Sequence, residues 1–331
     1  MGLSRLRTPS ASRKEIPRRT CATGAFSLQG SRVFSNFVVC WLLICTTVMA
    51  ETAQPSATGV GLARDSIIFY NYPLAFNPAK AKLALEEKGI KYTEKKIDLF
   101  NGQSLEPWYL KLNPAASSPT LVVGDEKIVE SADIIRWADS QGAPLGGDSV
   151  DRAFVKEWLE KVDAWDGNLF AAANSSSSGA IKFGTKHKIK VAEANMKRNP
   201  DMAELYKKKI ATMEAQLAEP DNREAVEQNL RQLAGLLDEA EARLSTNKFL
   251  AGDSYSAADC IFTPVIYRLF MVKKDKEFLE PRPNIQRYYD ELKKRPSYKK
   301  VFGVADSGFC TAQTILPAFG KILLQKVTGK Y

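Results

Sequence analysis

Residues 113–131 read NPAASSPTLVVGDEKIVES, and this stretch decides the fold. Asn113-Pro114 ends whatever helix precedes it, because proline lacks an amide donor and pushes the residue before it toward extended backbone. Thr120–Val123 (TLVV) and Lys127–Val129 (KIV) are β-branched runs joined through Gly124-Asp125, a hairpin signal. From Glu130 to Asp139 the apolar spacing becomes helical. A turn, a hairpin and a helix therefore follow one another within thirty residues.

The same logic extends upstream. SIIFYNY (66–72) is a strand by its β-branched and aromatic content, and Pro73 ends it. Asn77 suits the N-cap of a helix and Pro78 its first position. The run AKAKLALEEKG (79–89) then turns Ala81, Leu83, Ala84 and Leu85 toward a core, and Gly89 is the stop. Residues 90–99 (IKYTEKKIDL) alternate as a second strand, and Leu105–Leu112 is a short helical piece. The order is βαβ, α, ββ, α: an α/β unit with a mixed sheet and a crossover helix.

Downstream, everything reads as helix. VKEWLEKVDAWDGNLF (155–170) places Trp158, Val162 and Trp165 on one stripe. The aromatic set Trp158, Trp165, Phe170 and Phe262 suits either an apolar ligand cleft or a helix core, and spacing does not separate the two. A Ser/Gly loop at 175–179 leads into the basic stretch 180–198, whose lysines are expected on a solvated helix face. Val226, Leu230, Leu233, Leu237, Ala240 and Leu244 step by three and four, a core-facing seam. Ser256 and Asp259 form a capping-box pattern at the start of an apolar helix. Cys260 and Cys310 sit in apolar contexts and are expected to be buried thiols rather than nucleophiles.

The stretch around Ser118-Pro119, followed by Glu130-Ser131 and preceded by a matching strand and helix, resembles the glutathione-binding motif of the glutathione transferases. That resemblance implies a thioredoxin-like α/β N-terminal domain followed by an all-α C-terminal domain. It covers about residues 66–300. The pattern E-W-x-x-K-x-x-x-W-D-x-x-L-F at Glu157–Phe170, the long insert and the Arg295-Pro296-Ser297-Tyr298 ending are similar to the plant tetrachlorohydroquinone-dehalogenase-like class. The ganglioside-induced differentiation-associated proteins share an insert at this place.

By this resemblance Pro119 is a cis proline that presents the backbone of Ser118 to the cysteinyl part of glutathione. Glu130 and Ser131 hold the γ-glutamyl end, a carboxylate for an ammonium and a hydroxyl at a helix start for a carboxylate. Two positions depart from the family. The hydroxyl that activates the thiol is replaced by Ala75, so Tyr72 is the catalytic candidate, since a thiol must be pulled well below its usual pKa of about 8.5. Residues 101–110 carry no Lys or Arg for the glycine carboxylate, only Gln103. The implied activity is conjugation or reduction of hydrophobic electrophiles with glutathione as co-substrate, at low turnover because of Ala75. The alternative is a non-catalytic ligand-binding or membrane-associated adaptor of the same fold. Dimerisation is implied by the family, and no metal is expected.

Composition bounds the rest. The chain has 331 residues and a net charge of +9. Residues 1–50 hold seven bases against one acid, so six of those nine charges lie there. The remainder is nearly balanced, which argues against a nucleic-acid partner. The expected organisation is a basic then apolar segment at 1–50, a linker at 51–65, the thioredoxin-like domain at 66–140, a helical domain at 148–305 with an insert at about 175–225, and an apolar and basic tail at 306–331. Residues 33–50 and 309–327 are the candidate membrane contacts. If translation starts at Met49 the protein is expected in the cytoplasm; if at Met1, the first fifty residues read as an anchor or an organelle or secretory signal.

Overall fold

The computed structural model describes residues 67–73, 75–176, 178–306, 320–325 and 327–328. The N-terminal segment, the linker and Cys310 lie outside the described residues. Four strands form one mixed sheet in the order β2-β1-β3-β4: β1 (Ile67–Asn71), β2 (Thr93–Lys96), β3 (Thr120–Val123) and β4 (Glu126–Ile128). Strand β1 pairs parallel with β2, Ile68 opposite Thr93, and antiparallel with β3, Tyr70 opposite Thr120. The edge strand β2 (TEKK) is exposed along its length, and its charges discourage pairing with another chain. It is shorter than the alternation of 90–99 suggests.

Helix α1 (Phe76–Glu87) is the crossover between β1 and β2. Its first turn begins one residue before the expected N-cap: Ala75 is the N-cap and makes no side-chain cap bond, and Asn77 is already helical. Pro78 is tolerated there because amides of the first turn have no partner inside the helix. Helix α2 (Pro107–Leu112) precedes β3, and α3 (Ser131–Ser140) follows β4. Helix α1 is buried on more than one side, its Ala81, Leu83, Ala84 and Leu85 inaccessible, because it packs against both α3 and the later helix α9.

The helical remainder comprises α4 (Arg152–Asp163), α5 (Gly167–Asn174), α6 (Ser178–Arg198), α7 (Ala203–Ala218), α8 (Arg223–Thr246), α9 (Ala257–Met271), α10 (Asp275–Leu279), α11 (Pro283–Lys294) and α12 (Pro296–Asp306). The main core joins α1, α3, α4, α8, α9 and α11 around Trp158, Phe262 and Tyr288. Trp158, Trp165, Phe170 and Phe262 all belong to it and are almost wholly inaccessible. The open choice between cleft and core is thus decided for core. Helix α9 starts at the expected capping box: Asp259 Oδ2 accepts from the amide of Ser256 at 2.7 Å.

The tight turn before α9 needs glycine. Gly252 has φ 145°, and a Cβ there would lie 2.7 Å from the carbonyl oxygen of Ser149. Gly252→Ala is expected to lower stability by about 1–3 kcal/mol from backbone conformation alone, with the clash added. A chemical denaturation curve indistinguishable from the parent's would contradict this.

A second, smaller core lies apart. Helices α6 and α7 pack on each other and on the 102–116 region through Leu105, Leu110, Ala116, Val191, Ala192, Met202, Tyr206 and Met213. Asn195 Nδ2 and Tyr206 OH both donate to the carbonyl oxygen of Leu105, at 3.1 and 2.9 Å. Residues 178–218 therefore form a hairpin of helices fastened to the loop between β2 and α2. Among the described residues no helix is long and apolar enough to cross a membrane.

Candidate functional site

The loop between α2 and β3 is built by two residues that sequence reasoning missed. Asn113 is wholly buried, and its Nδ2 donates to the Ser117 carbonyl at 3.1 Å and to Thr120 Oγ1 at 2.9 Å. Its Oδ1 accepts from the Ala115 amide at 3.0 Å. Tyr109 OH donates to the same Ser117 carbonyl at 2.7 Å. Asn113 stood in the sequence as a helix breaker, and only its Asx-type reach to the backbone two residues on hinted at this bracing role. The braced loop carries Ser118-Pro119, whose peptide bond is cis. Ser118 Oγ is buried and has no hydrogen-bond partner among the described residues.

A cavity of about 320 Å³ opens at this loop. Ser118, Pro119, Glu130 and Ser131 line it together with Asn77 from α1 and Lys208 and Lys209 from α7. Four of the residues singled out from sequence thus share one cavity. Glu130 is the N-cap of α3 and makes no side-chain cap bond, so its carboxylate is not spent on the helix. Burial, then the Asp163 and Asp133 carboxylates, raise its pKa above the usual range, and Lys80 opposes them. An arriving ammonium would favour the ionised form. Ser131 follows as the first residue of α3, 3% exposed, where the helix dipole favours an anion.

A second cavity of about 300 Å³ shares Asn77, Ser117, Ser118 and Lys209 with the first. Its further lining includes Ala75 and Phe76 at the start of α1, Leu99, Ser104 and Leu105 from the loop, and Leu169, Ile181, Lys188 and Met213 from the helical part. The uncapped amino end of α1 therefore faces a space whose far side is mixed, with Leu169, Ile181 and Met213 beside Asp166, Lys188 and Glu219.

Tyr72 and Gln103 are placed elsewhere. Tyr72 is 7% exposed and packs edge-on against Phe100, with ring centroids 5.7 Å apart; it lines neither cavity. The side-chain oxygen of Gln103 accepts from the Asp98 amide at 2.8 Å, so this residue closes its own loop and also lines neither cavity. The lysines correct a further expectation. Lys182 does reach solvent and pairs with Asp221 at 2.8 Å, whereas Lys188 is half-buried and turned into the second cavity.

Comparison with known proteins follows this geometry. The family model described as the glutathione S-transferase N-terminal domain matches residues 77–141, and that of the C-terminal domain matches residues 197–296. The chain is 29% identical to glutathione S-transferase TCHQD of Arabidopsis thaliana, over 79% of this chain and 99% of that protein. It is also 29% identical to a tetrachloro-p-hydroquinone reductive dehalogenase of Sphingobium chlorophenolicum, over 70% of this chain and 94% of the relative. Among solved structures, the β-etherase LigF of Sphingobium superposes with a TM-score of 0.58 at 20% identity, covering 72% of this chain and 99% of that one. Poplar glutathione transferase F1 gives 0.51 at 22%, covering 73% and 99%. Both structures speak to the fold alone. With the paired family domains matched in order along one polypeptide, and with plant and bacterial relatives spanned almost end to end, the chain belongs to the glutathione S-transferase family.

Proposed function

We propose that this protein binds glutathione in the cavity at Ser118-Pro119 and transfers or uses its thiol against a hydrophobic electrophile. One observation carries the reading: Ser118, whose buried hydroxyl has no hydrogen-bond partner among the described residues, lines the same cavity as an uncommitted Glu130 carboxylate and the start of α3 at Ser131. A zwitterionic amino-acid end fits that set, with the ammonium at Glu130 and the carboxylate at the α3 amino terminus. The reacting sulfur would then lie toward the uncapped start of α1, where the first-turn backbone amides and the helix dipole favour a negative charge. The electrophile would occupy the apolar side of the second cavity, along Leu99, Leu169, Ile181 and Met213.

Titration calorimetry with glutathione tests the binding step. Glu130→Gln is expected to weaken binding about tenfold or more, the loss of one charge-assisted contact. Unchanged affinity in that variant would remove the reading.

Ala75 favours a second reading in which the protein retains glutathione without turning it over. It stands at the N-cap of α1 and supplies no hydroxyl to the sulfur. If Ala75→Ser raises conjugation of an activated chloronitrobenzene sharply, the parent is a slow catalyst. If the variant changes nothing while glutathione is still retained, the binding role stands.

A further inference from the structure

Two of the cations that line the second cavity are not engaged in ion pairs among the described residues. Lys188 reaches it from α6 and Lys209 from α7, the two arms of the helical hairpin. Neither has a carboxylate within ion-pair distance among the described residues. Lys209 Nζ donates to the carbonyl oxygen of Ala115 at 2.7 Å, which fixes its head group over the braced loop and between the two cavities. Burial, and then the nearby Lys188 charge, lower the Lys209 pKa to about 8, and burial lowers that of Lys188 as well. Two half-buried ammonium groups that repel one another and have no ion-pair partner are unfavourable by themselves and favourable once an anion lies between them.

The reading of the first cavity says where that anion belongs. With the γ-glutamyl end at Glu130 and Ser131 and the cysteinyl backbone at Ser118, the peptide has one carboxylate left. On that reading it would reach past Ser117 and Ala116 into the second cavity, which Ser104 also lines. The loop at 101–110 offers no base there, and Gln103 is engaged with Asp98. We propose that Lys188 and Lys209, carried by the α6–α7 hairpin, hold the glycine carboxylate of glutathione in place of a base on the sheet-side loop. This rests on the proposed glutathione site and adds its second anionic anchor. The acids that share the cavity, Asp166 and Glu219, complete the charged groups facing it.

The experiment varies the ligand as well as the protein. Calorimetric dissociation constants are measured for glutathione, for γ-glutamylcysteine, which lacks the glycine, and for glutathione esterified at the glycine carboxylate. The full-length parent is compared with Lys209→Met, Lys188→Met/Lys209→Met and Lys209→Arg, each checked for an unchanged thermal midpoint. The parent is expected to prefer glutathione over both truncated ligands by on the order of tenfold or more. The double methionine variant is expected to lose that preference while its affinity for γ-glutamylcysteine stays within about twofold, and Lys209→Arg is expected to keep most of it. A preference that survives in the double variant, or an equal loss for all three ligands, overturns the assignment. Glu130→Gln separates the two proposals, since it weakens all three ligands alike if the γ-glutamyl end is correctly placed. Binding of none of them to the parent would remove the glutathione site itself.

Discussion

Asp259→Ala is expected to destabilise the protein by about 3–5 kcal/mol, because several buried donors lose their acceptor together at about 1–3 kcal/mol each. Asp259 is inaccessible to solvent and accepts four hydrogen bonds. They come from the Ser256 amide at 2.7 Å, Ser256 Oγ at 2.9 Å, the Leu250 amide at 3.1 Å and Tyr288 OH at 2.7 Å. Alanine would strand all of these donors in the core at once, and each orphaned donor carries its own desolvation penalty. The four bonds tie the turn at 249–256 to α9 and α11, so the loss is felt across the main core rather than at one helix end. Tyr288→Phe removes only one of the bonds and is expected to cost about 1 kcal/mol. Urea denaturation followed by circular dichroism separates the cases. A midpoint for Asp259→Ala as close to the parent's as that of Tyr288→Phe would show that the network is not a stabilising unit.

Trp158→Ala is the second large effect, about 3–5 kcal/mol for emptying an aromatic site in a packed core. Its ring stacks on Phe154 at 5.3 Å and meets Phe262 edge-on at 5.2 Å. The indole nitrogen is buried without a hydrogen-bond partner among the described residues. Trp158→Phe therefore removes an unsatisfied donor as well as volume, and the two effects oppose one another. We expect Trp158→Phe to cost well under half of what alanine does. The same pair tests whether Trp158 belongs to the cleft. It lines neither cavity, so Trp158→Phe should leave glutathione affinity unchanged in the folded protein. A drop of tenfold with normal stability would return the residue to the site.

Local signals made much of the fold readable. The strand at 67–71, the hairpin through Gly124 and the cap at Ser256 each depend on a few neighbouring residues whose backbone preferences agree. The Asn77 cap misled because the first turn of a helix accepts proline at several positions, so a proline marks the turn without fixing its first residue. The site was half legible. Ser118, Glu130 and Ser131 lie close together in sequence and in one loop-to-helix segment, whereas Lys188 and Lys209 are delivered by two helices that no local pattern orients toward the sheet. Their faces are set by Val191, Tyr206 and Met213 packing on Leu105 and Ala116, contacts that exist only in three dimensions. The same limit applies to Trp158 and Trp165, because an apolar stripe shows that a face is covered and not by what.

The attachment of the helical hairpin to Leu105 has a mechanical result. Roof and floor of the cleft are riveted at one carbonyl by Asn195 and Tyr206, and Lys209 adds a tie at Ala115. The opening cannot widen by lifting the hairpin without breaking those bonds. Lengthening or shortening the hairpin would change the height of that opening while the sheet and the main core, which lie in a separate cluster, keep their packing.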